Sequence, residues 1–152
     1  MKILVDADSC PRDARDVVLR AAGRRKLRVI FAANRPIPGL HGEYAVMEIC
    51  PAGDNSADNR IVELAEAGDL AVSRDLALAA RLLEKSVTVI DDRGRTVTAD
   101  TINELLSLRD FTVGLAENGL GAERTAGYGM KERKTFADSL DRQLTRLTRK
   151  EH

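Results

Sequence analysis

Tryptophan is absent from this 152-residue chain and aromatics make up only 3% of it. A stacking platform for single-stranded nucleic acid would have to be built from Phe31, Tyr44, Phe111, Tyr128 or Phe136, which argues against that route. Cysteine is nearly missing too: Cys10 and Cys50 are too few for a disulfide framework or a closed thiolate zinc site. With His41 and His152 the only histidines, zinc chemistry is disfavoured and no histidine is placed to act as a base. No run approaches the roughly 18 to 20 apolar residues of a membrane span. The start MKILVDAD lacks a charged segment followed by a long apolar one, so a cytoplasmic location without a membrane partner is expected. Neither a Walker loop nor GxGxxG is present, which removes the usual glycine-rich phosphate cradles. Net charge is absent as well, since 24 basic residues balance 24 acidic ones. There is thus no global basic excess of the kind that marks a nucleic-acid binder.

What is present is a composition of 43% hydrophobic and 32% charged residues. It suits one globular domain over residues 1–152, able to bury roughly two thirds of its unfolded surface. The neutral balance hides segregation. Residues 12 to 28 carry seven basic side chains against Asp13 and Asp16, and residues 43 to 69 carry seven acids against Arg60 alone. From Arg124 onward eight basic residues face Glu132, Asp138, Asp141 and Glu151. An acidic cleft flanked by basic helices would hold a polyanion beside metal ions; solvated helix faces give the same counts.

Periodicity alternates along the chain. Ile3, Leu4 and Val5 form a strand that ends on Asp6 and Asp8. Ala14, Val17, Val18, Ala21 and Ala22 recur at helical spacing, with Pro11 before them and Gly23 as the stop. Leu27 to Ala33 is nearly continuous apolar sequence, as in a strand covered on both faces. Tyr44 to Cys50 reads as a third strand, and a helix starting near Ser56 to Asp58 turns Ile61, Val62, Leu64 and Ala65 inward. Leu70 to Val72, a helix carrying Leu76, Ala79, Ala80 and Leu83, and Val87 to Ile90 follow. Thr101 and Glu104 fit a capping box. The glycines from Gly114 to Gly129 suggest an irregular loop or a lid, and a last helix stripes Phe136, Leu140, Leu144 and Leu147 on one side. Strands and helices alternating at this spacing predict a three-layer α/β sandwich around a central, mostly parallel sheet of about five strands.

In such a sheet the acid-bearing strand ends share one edge, where open α/β sheets bind ligands. Four groups reach it: Asp6 with Asp8, Asp54 with Asp58, Asp75, and Asp91 with Asp92. Like charges this close need a cation, a shared proton or strong hydrogen bonds. Mg2+ or Mn2+ takes oxygen ligands, often only one or two of them carboxylates, and a pair of such ions can bridge a phosphodiester. Taken singly, Asp58 and Asp75 also suit the first turn of a helix, and Asp91 with Asp92 an ordinary turn. Ser9 and Ser73 stand at the same edge, Ser9 equally as a helix cap. Cys10 lies five residues before Arg15, one short of the phosphatase spacing, and reads as a buried, inert thiol.

VDADSCP, the stretch SADNRIVELAEAGDLAVSRDLALAARLLEK and the later RG followed by T resemble the YaiI/YqxD family of bacterial proteins over most of the chain. The resemblance implies a PIN-like fold, whose better-known members are magnesium- or manganese-dependent ribonucleases. It implies that Asp6 and Asp8 are the acids of the first strand, Asp58 the acid of the central helix, and Asp75 the acid of the motif Ser73–Arg74–Asp75. The chain departs from the family pattern in having Asn55 three residues before Asp58, with Asp54 displaced by one. The Asp91–Asp92 pair is a second departure, and Ala126, Gly127, Tyr128 and Gly129 replace a glycine-proline. The expected function is a phosphodiesterase acting on RNA, with Asp6, Asp8, Asp58 and Asp75 holding one or two Mg2+ or Mn2+ ions. Ser9, Asp54, Asn55, Ser73, Asp91 and Asp92 are accessory candidates. A non-catalytic module binding RNA or protein is the alternative. A third reading notes that DADSC resembles the DxDxT of haloacid-dehalogenase-type phosphatases, with Ser73, Lys85 and the IDD acids following and Asp6 as nucleophile. Cys10 at the threonine position and the absence of a cap insertion count against it.

Overall fold

The computed structural model describes residues 1–40, 42–53, 55–104, 106–107 and 128–150. Six strands form one sheet: β1 (Ile3–Asp6), β2 (Val29–Ala33), β3 (Ala45–Ile49), β4 (Leu70–Val72), β5 (Thr88–Ile90) and β6 (Thr96–Val97). Their order is β3-β2-β1-β4-β5-β6, with the first five parallel and β6 antiparallel to β5. The expected five strands are thus joined by a sixth, a two-residue edge strand too short to announce itself by periodicity.

Helices α1 (Arg12–Arg25), α2 (Ser56–Leu64), α3 (Leu76–Glu84) and α4 (Met130–Lys150) cover the sheet, and residues 102–104 and 106–107 are helical as well. Alternation within the strands sorts the layers. Ile3, Val5, Val29, Phe31 and Val72 join Ala14 and Val18 of α1 and Phe136, Leu140 and Leu144 of α4 in one core. Leu4, Ile30, Ala32, Ala71 and Val89 join Ile61, Leu78 and Leu82 in the other. β1 is buried on both faces, which is why its sequence is continuously apolar rather than alternating. Each fully buried Leu, Ile or Phe contributes roughly 1.5–3 kcal/mol, so the two cores carry most of the stability.

Two boundaries differ from expectation. α1 runs through the exposed Gly23 to Arg25 and stops where Lys26 turns left-handed at φ 56°, its N–H donating to the carbonyls of Ala22 and Gly23. The capping box lies three residues early, because Thr98 and Thr101 exchange side-chain and backbone bonds at 3.2 Å. The expected irregular loop or lid from Gly114 to Gly129 lies outside the described residues up to Gly127. Part of the charge segregation is spent on packing α1 against α4: Arg133 meets Asp16 at 2.8 Å and Arg25 meets Asp141 at 2.6 Å. Among the described residues no helix is long and apolar enough to cross a membrane.

Candidate functional site

β1 is the central strand, and its last residue sets the site. Asp6 pairs in register with Ala32 and lies one step beyond the Val5–Val72 pair, which brings it level with Ser73. It is 7% exposed. Its Oδ2 accepts the Ser9 hydroxyl at 2.9 Å and the Ser73 hydroxyl at 3.1 Å. Burial pushes the Asp6 pKa up; the two hydroxyl bonds pull it back, while the charges of Asp75 and Asp8 add to the rise.

Two further acids arrive from helix starts. Asp58 stands on the first turn of α2 and its carboxyl is pushed up to about 6, by burial first, then by the charges of Asp6 and Asp75 and a hydrogen bond with Asp75. A position on the first turn of a helix ordinarily favours a carboxylate. Here neighbouring acids overrule the dipole. Asp75 is the N-cap of α3, accepting the N–H groups of Ala77 at 2.9 Å and Leu78 at 3.2 Å on Oδ1. Its own N–H donates to the Ser73 Oγ at 3.0 Å. One hydroxyl therefore links Asp6 to Asp75, and β1, α2 and α3 bring three carboxyl groups together.

The remaining acids go elsewhere. Asp8 is exposed and accepts the Asn34 N–H at 2.8 Å, while the Asn34 side chain accepts the Ser56 hydroxyl at 3.1 Å. Asp8 thereby braces the start of α2 and reaches Asp6 only as a charge. Asn55 is left-handed, at φ 66°, and makes no side-chain cap bond; asparagine is among the side chains that adopt this conformation most readily. Asp54 lies outside the described residues. Asp91 holds its own turn by accepting the N–H groups of Arg93 and Arg95 at 2.9 and 2.8 Å. Asp92 is buried and paired with Arg74. Arg74 is the residue that sequence reasoning passed over, although it sits inside the Ser73–Arg74–Asp75 motif. Cys10 is buried and its thiol is pushed up to about 12, by burial first and then by Asp92, as befits an inert side chain.

For a cation the donor set is one of hard oxygens. Among the described residues no three His, Cys, Asp or Glu side chains are grouped to hold one ion directly. Mg2+ usually retains several waters and takes only one or two carboxylates. Asp6 and Asp58, both made reluctant to ionise by burial and by neighbouring acids, fit that mode. The lysine that a phosphatase of the third kind requires is at the wrong edge: Lys85 ends α3, opposite Asp75, and its Nζ donates to the Val62 carbonyl at 2.6 Å.

A family model described as an uncharacterised YaiI/YqxD family matches residues 4–146. A UPF0178 protein of Treponema denticola is 45% identical over 152 residues, covering all of this chain and 97% of the relative. A UPF0178 protein of Myxococcus xanthus is 42% identical over 151 residues, covering 99% of each. No solved structure matches the chain at a significant level. The chain belongs to the YaiI/YqxD family.

Proposed function

We propose that this protein is a divalent-metal-dependent phosphodiesterase, a ribonuclease on a PIN-like fold working in the cytoplasm. The observation that carries the reading is that the Asp6 and Asp58 carboxyls are both pushed up at the carboxyl ends of the central strands, each by burial first, and then Asp58 by the charges of Asp6 and Asp75 and Asp6 by those of Asp75 and Asp8. Perturbed titration in a group of facing acids is a mark of functional sites. Asp6 and Asp58 would hold the ion, Ser9 and Ser73 fix the rotamer of Asp6, and Ser73 with the α3 backbone fixes Asp75. Asp8 acts through Asn34 and Ser56, positioning the start of α2 and hence Asp58. When bound, Mg2+ or Mn2+ supplies charge neutralisation at a phosphodiester and a more acidic water. Protons and the ion compete for the same oxygens, so affinity falls as pH drops below about 6, the value at which Asp58 protonates.

The test is cleavage of 5′-labelled RNA in Mn2+ by the purified chain beside its Asp6→Asn and Asp58→Asn variants. Activity lost in both variants is the expected result. Equal activity in all three would assign the cleavage to a contaminant.

One observation favours a non-catalytic module that binds RNA or protein: Asp75 spends an oxygen on capping α3, and among the described residues no three acids group around one ion. Calorimetry separates the two. Heat of Mn2+ binding that disappears in Asp6→Asn supports the enzyme, and no binding at millimolar ion supports the module.

A further inference from the structure

The acid edge is flanked on its β2 side by a cavity of about 150 Å3, between the first half of α1 and the loop that leaves β2. Arg12, Arg15, Asp16 and Leu19 form one wall, and Pro38 to Leu40 form the other. Residues three and four apart share a helix face, so these four side chains stand together, off the buried stripe of Ala14, Val17, Val18 and Ala21. Both walls spring from the site. α1 begins directly after the turn that follows Asp6, and the second wall starts at Asn34, whose N–H donates to Asp8 at 2.8 Å. Cys10 feels the charges of Arg15 and Asp6 together.

The cavity carries surplus cations. Asp16, its one carboxylate, is already held by Arg133 at 2.8 Å and Arg20 at 3.2 Å, and the neighbouring Asp13 lies 3.7 Å from Arg133. Those two acids and two arginines balance one another. Among the described residues no carboxylate lies within ion-pair distance of Arg12 or Arg15, and neither side chain donates a hydrogen bond within the fold. The facing loop adds no acid: residues 34–40 read NRPIPGL, with Arg35 exposed. The larger cavity beyond Ser73 differs, because its Arg74 is matched by Asp92 and its Arg95 by Asp91. Arg12 and Arg15 also stand at the end of α1 where the helix dipole disfavours cations, and like charges this close on a helix repel. An anion that both reach would explain them. Planar guanidinium groups recognise phosphate in bidentate fashion. A volume of about 150 Å3 equals about five waters, which admits a phosphate group but not a nucleoside. Leu19, Pro38 and Leu40 offer no side-chain hydrogen bond to a base edge, so the contact suits the backbone of a nucleic acid and not its sequence.

We propose that the Arg12–Arg15 cavity is a subsite for a backbone phosphate of single-stranded RNA, flanking the phosphodiester held at the acids; the position of that second phosphodiester rests on the function proposed above. The experiment is fluorescence anisotropy of a 5′-labelled decaribonucleotide with the full chain in EDTA, across a salt series. The double variant Arg12→Gln/Arg15→Gln should weaken binding about ten-fold and reduce the slope of log K against log salt by about 0.7, the value for one phosphate fewer on a single strand. Arg12→Lys/Arg15→Lys keeps the charge and removes the fork, so it should weaken binding at unchanged slope. Arg142→Gln, on the exposed side of α4, should leave both unchanged. Neither Arg12 nor Arg15 has a partner in the fold, so the Tm of the glutamine variant should equal or exceed that of the wild type; a lower Tm would contradict the reading of these cations as surplus. No binding by the wild-type chain, wild-type binding by the glutamine variant, or an equal effect of Arg142→Gln would overturn the subsite. Uridine monophosphate or inorganic phosphate competing as strongly as the decamer would overturn the RNA in favour of a free anion. Binding of the expected pattern without cleavage in Mn2+ sinks the phosphodiesterase and spares the subsite, and cleavage with binding indifferent to Arg12 and Arg15 does the reverse.

Discussion

Asp58→Asn should stabilise this protein at neutral pH while removing a side chain the proposed ion needs. Folding raises the Asp58 carboxyl from 3.8 to about 6. For an acid with a raised folded pKa, the favourable contribution is present in full below the unfolded value and lost as pH rises through the folded one. The window is therefore about pH 4 to 6, and at pH 8 the charged Asp58 works against the fold. The gap between the two values is worth up to about 3 kcal/mol. Asp58 is only partly buried, and water screens it from Asp6 and Asp75, so about 1–2 kcal/mol is the expected cost. Asparagine keeps the shape and removes the charge, forgoing roughly 0.3–1 kcal/mol of attraction to the start of α2. A net gain of about 1 kcal/mol corresponds to a rise in Tm of about 2–4 °C for a chain of this size. Thermal unfolding followed by circular dichroism from pH 3.5 to 8 in EDTA measures it. The gain should vanish below about pH 4. A lower Tm at pH 8, or a difference independent of pH, would refute the reasoning. Mn2+ should invert the ranking, since an ion at 100 times its Kd stabilises the form that binds it by about 2.7 kcal/mol.

Three further substitutions separate the roles of neighbouring groups. Asp75→Ala deletes both cap bonds of α3 and should cost about 1–2 kcal/mol in urea unfolding, whereas Asp75→Asn keeps a cap acceptor and most of that stability. Both should lower the Asp58 pKa, seen by NMR titration, because the Asp75 charge raises it. Ser73→Ala strips a buried hydroxyl that donates to Asp6 and accepts from the Asp75 N–H, with a cost of about 1–3 kcal/mol. It should also raise the Asp6 pKa further, moving the acid limb of any pH–rate profile upward. Gly94→Ala places a Cβ 2.9 Å from the Ser139 Cβ and from the Thr135 carbonyl, at φ +87°, where α4 crosses the β5–β6 turn. It should cost more than about 1 kcal/mol in the same urea assay, and full stability would contradict that packing.

The fold was legible because its signals are local and repeated. Apolar runs at Ile3 to Val5 and, broken only by Arg28, at Leu27 to Ala33, separated by helical spacing, imply parallel strands covered on both faces, and β1 and β2 are such strands. What failed was whatever depends on two or three residues. β6 is shorter than any periodicity, and α1 passes Gly23 because Lys26 rather than glycine adopts the left-handed turn. At the site, sequence order indicates which acids reach the edge but not which way each turns. Asp8, two residues from Asp6, is taken by the Asn34 N–H, and Asp92 is taken by Arg74, a partner 18 residues away in sequence. Neither pairing follows from spacing.

Four of the acids at this edge have a partner within the fold. Asp75 is accounted for by the cap it provides, Asp91 by its turn, Asp92 by Arg74 and Asp8 by the Asn34 N–H. Remove any function and these four would still have reason to be aspartate. Asp58 would not. Its strongest electrostatic neighbours after burial are two more acids, with Arg81 pulling the least in the other direction. A carboxylate on the first turn of a helix should ionise more readily than in water, and this one ionises less readily. A side chain that opposes the fold in its charged form at neutral pH would be explained by the proposed ion, which binds the charged form, since stability alone would favour asparagine there. The proposed cation at this edge therefore depends on Asp58 more than on Asp6. Asp6 has two hydroxyl donors to satisfy its charge within the fold, whereas the strongest neighbours of Asp58 are the acids Asp6 and Asp75.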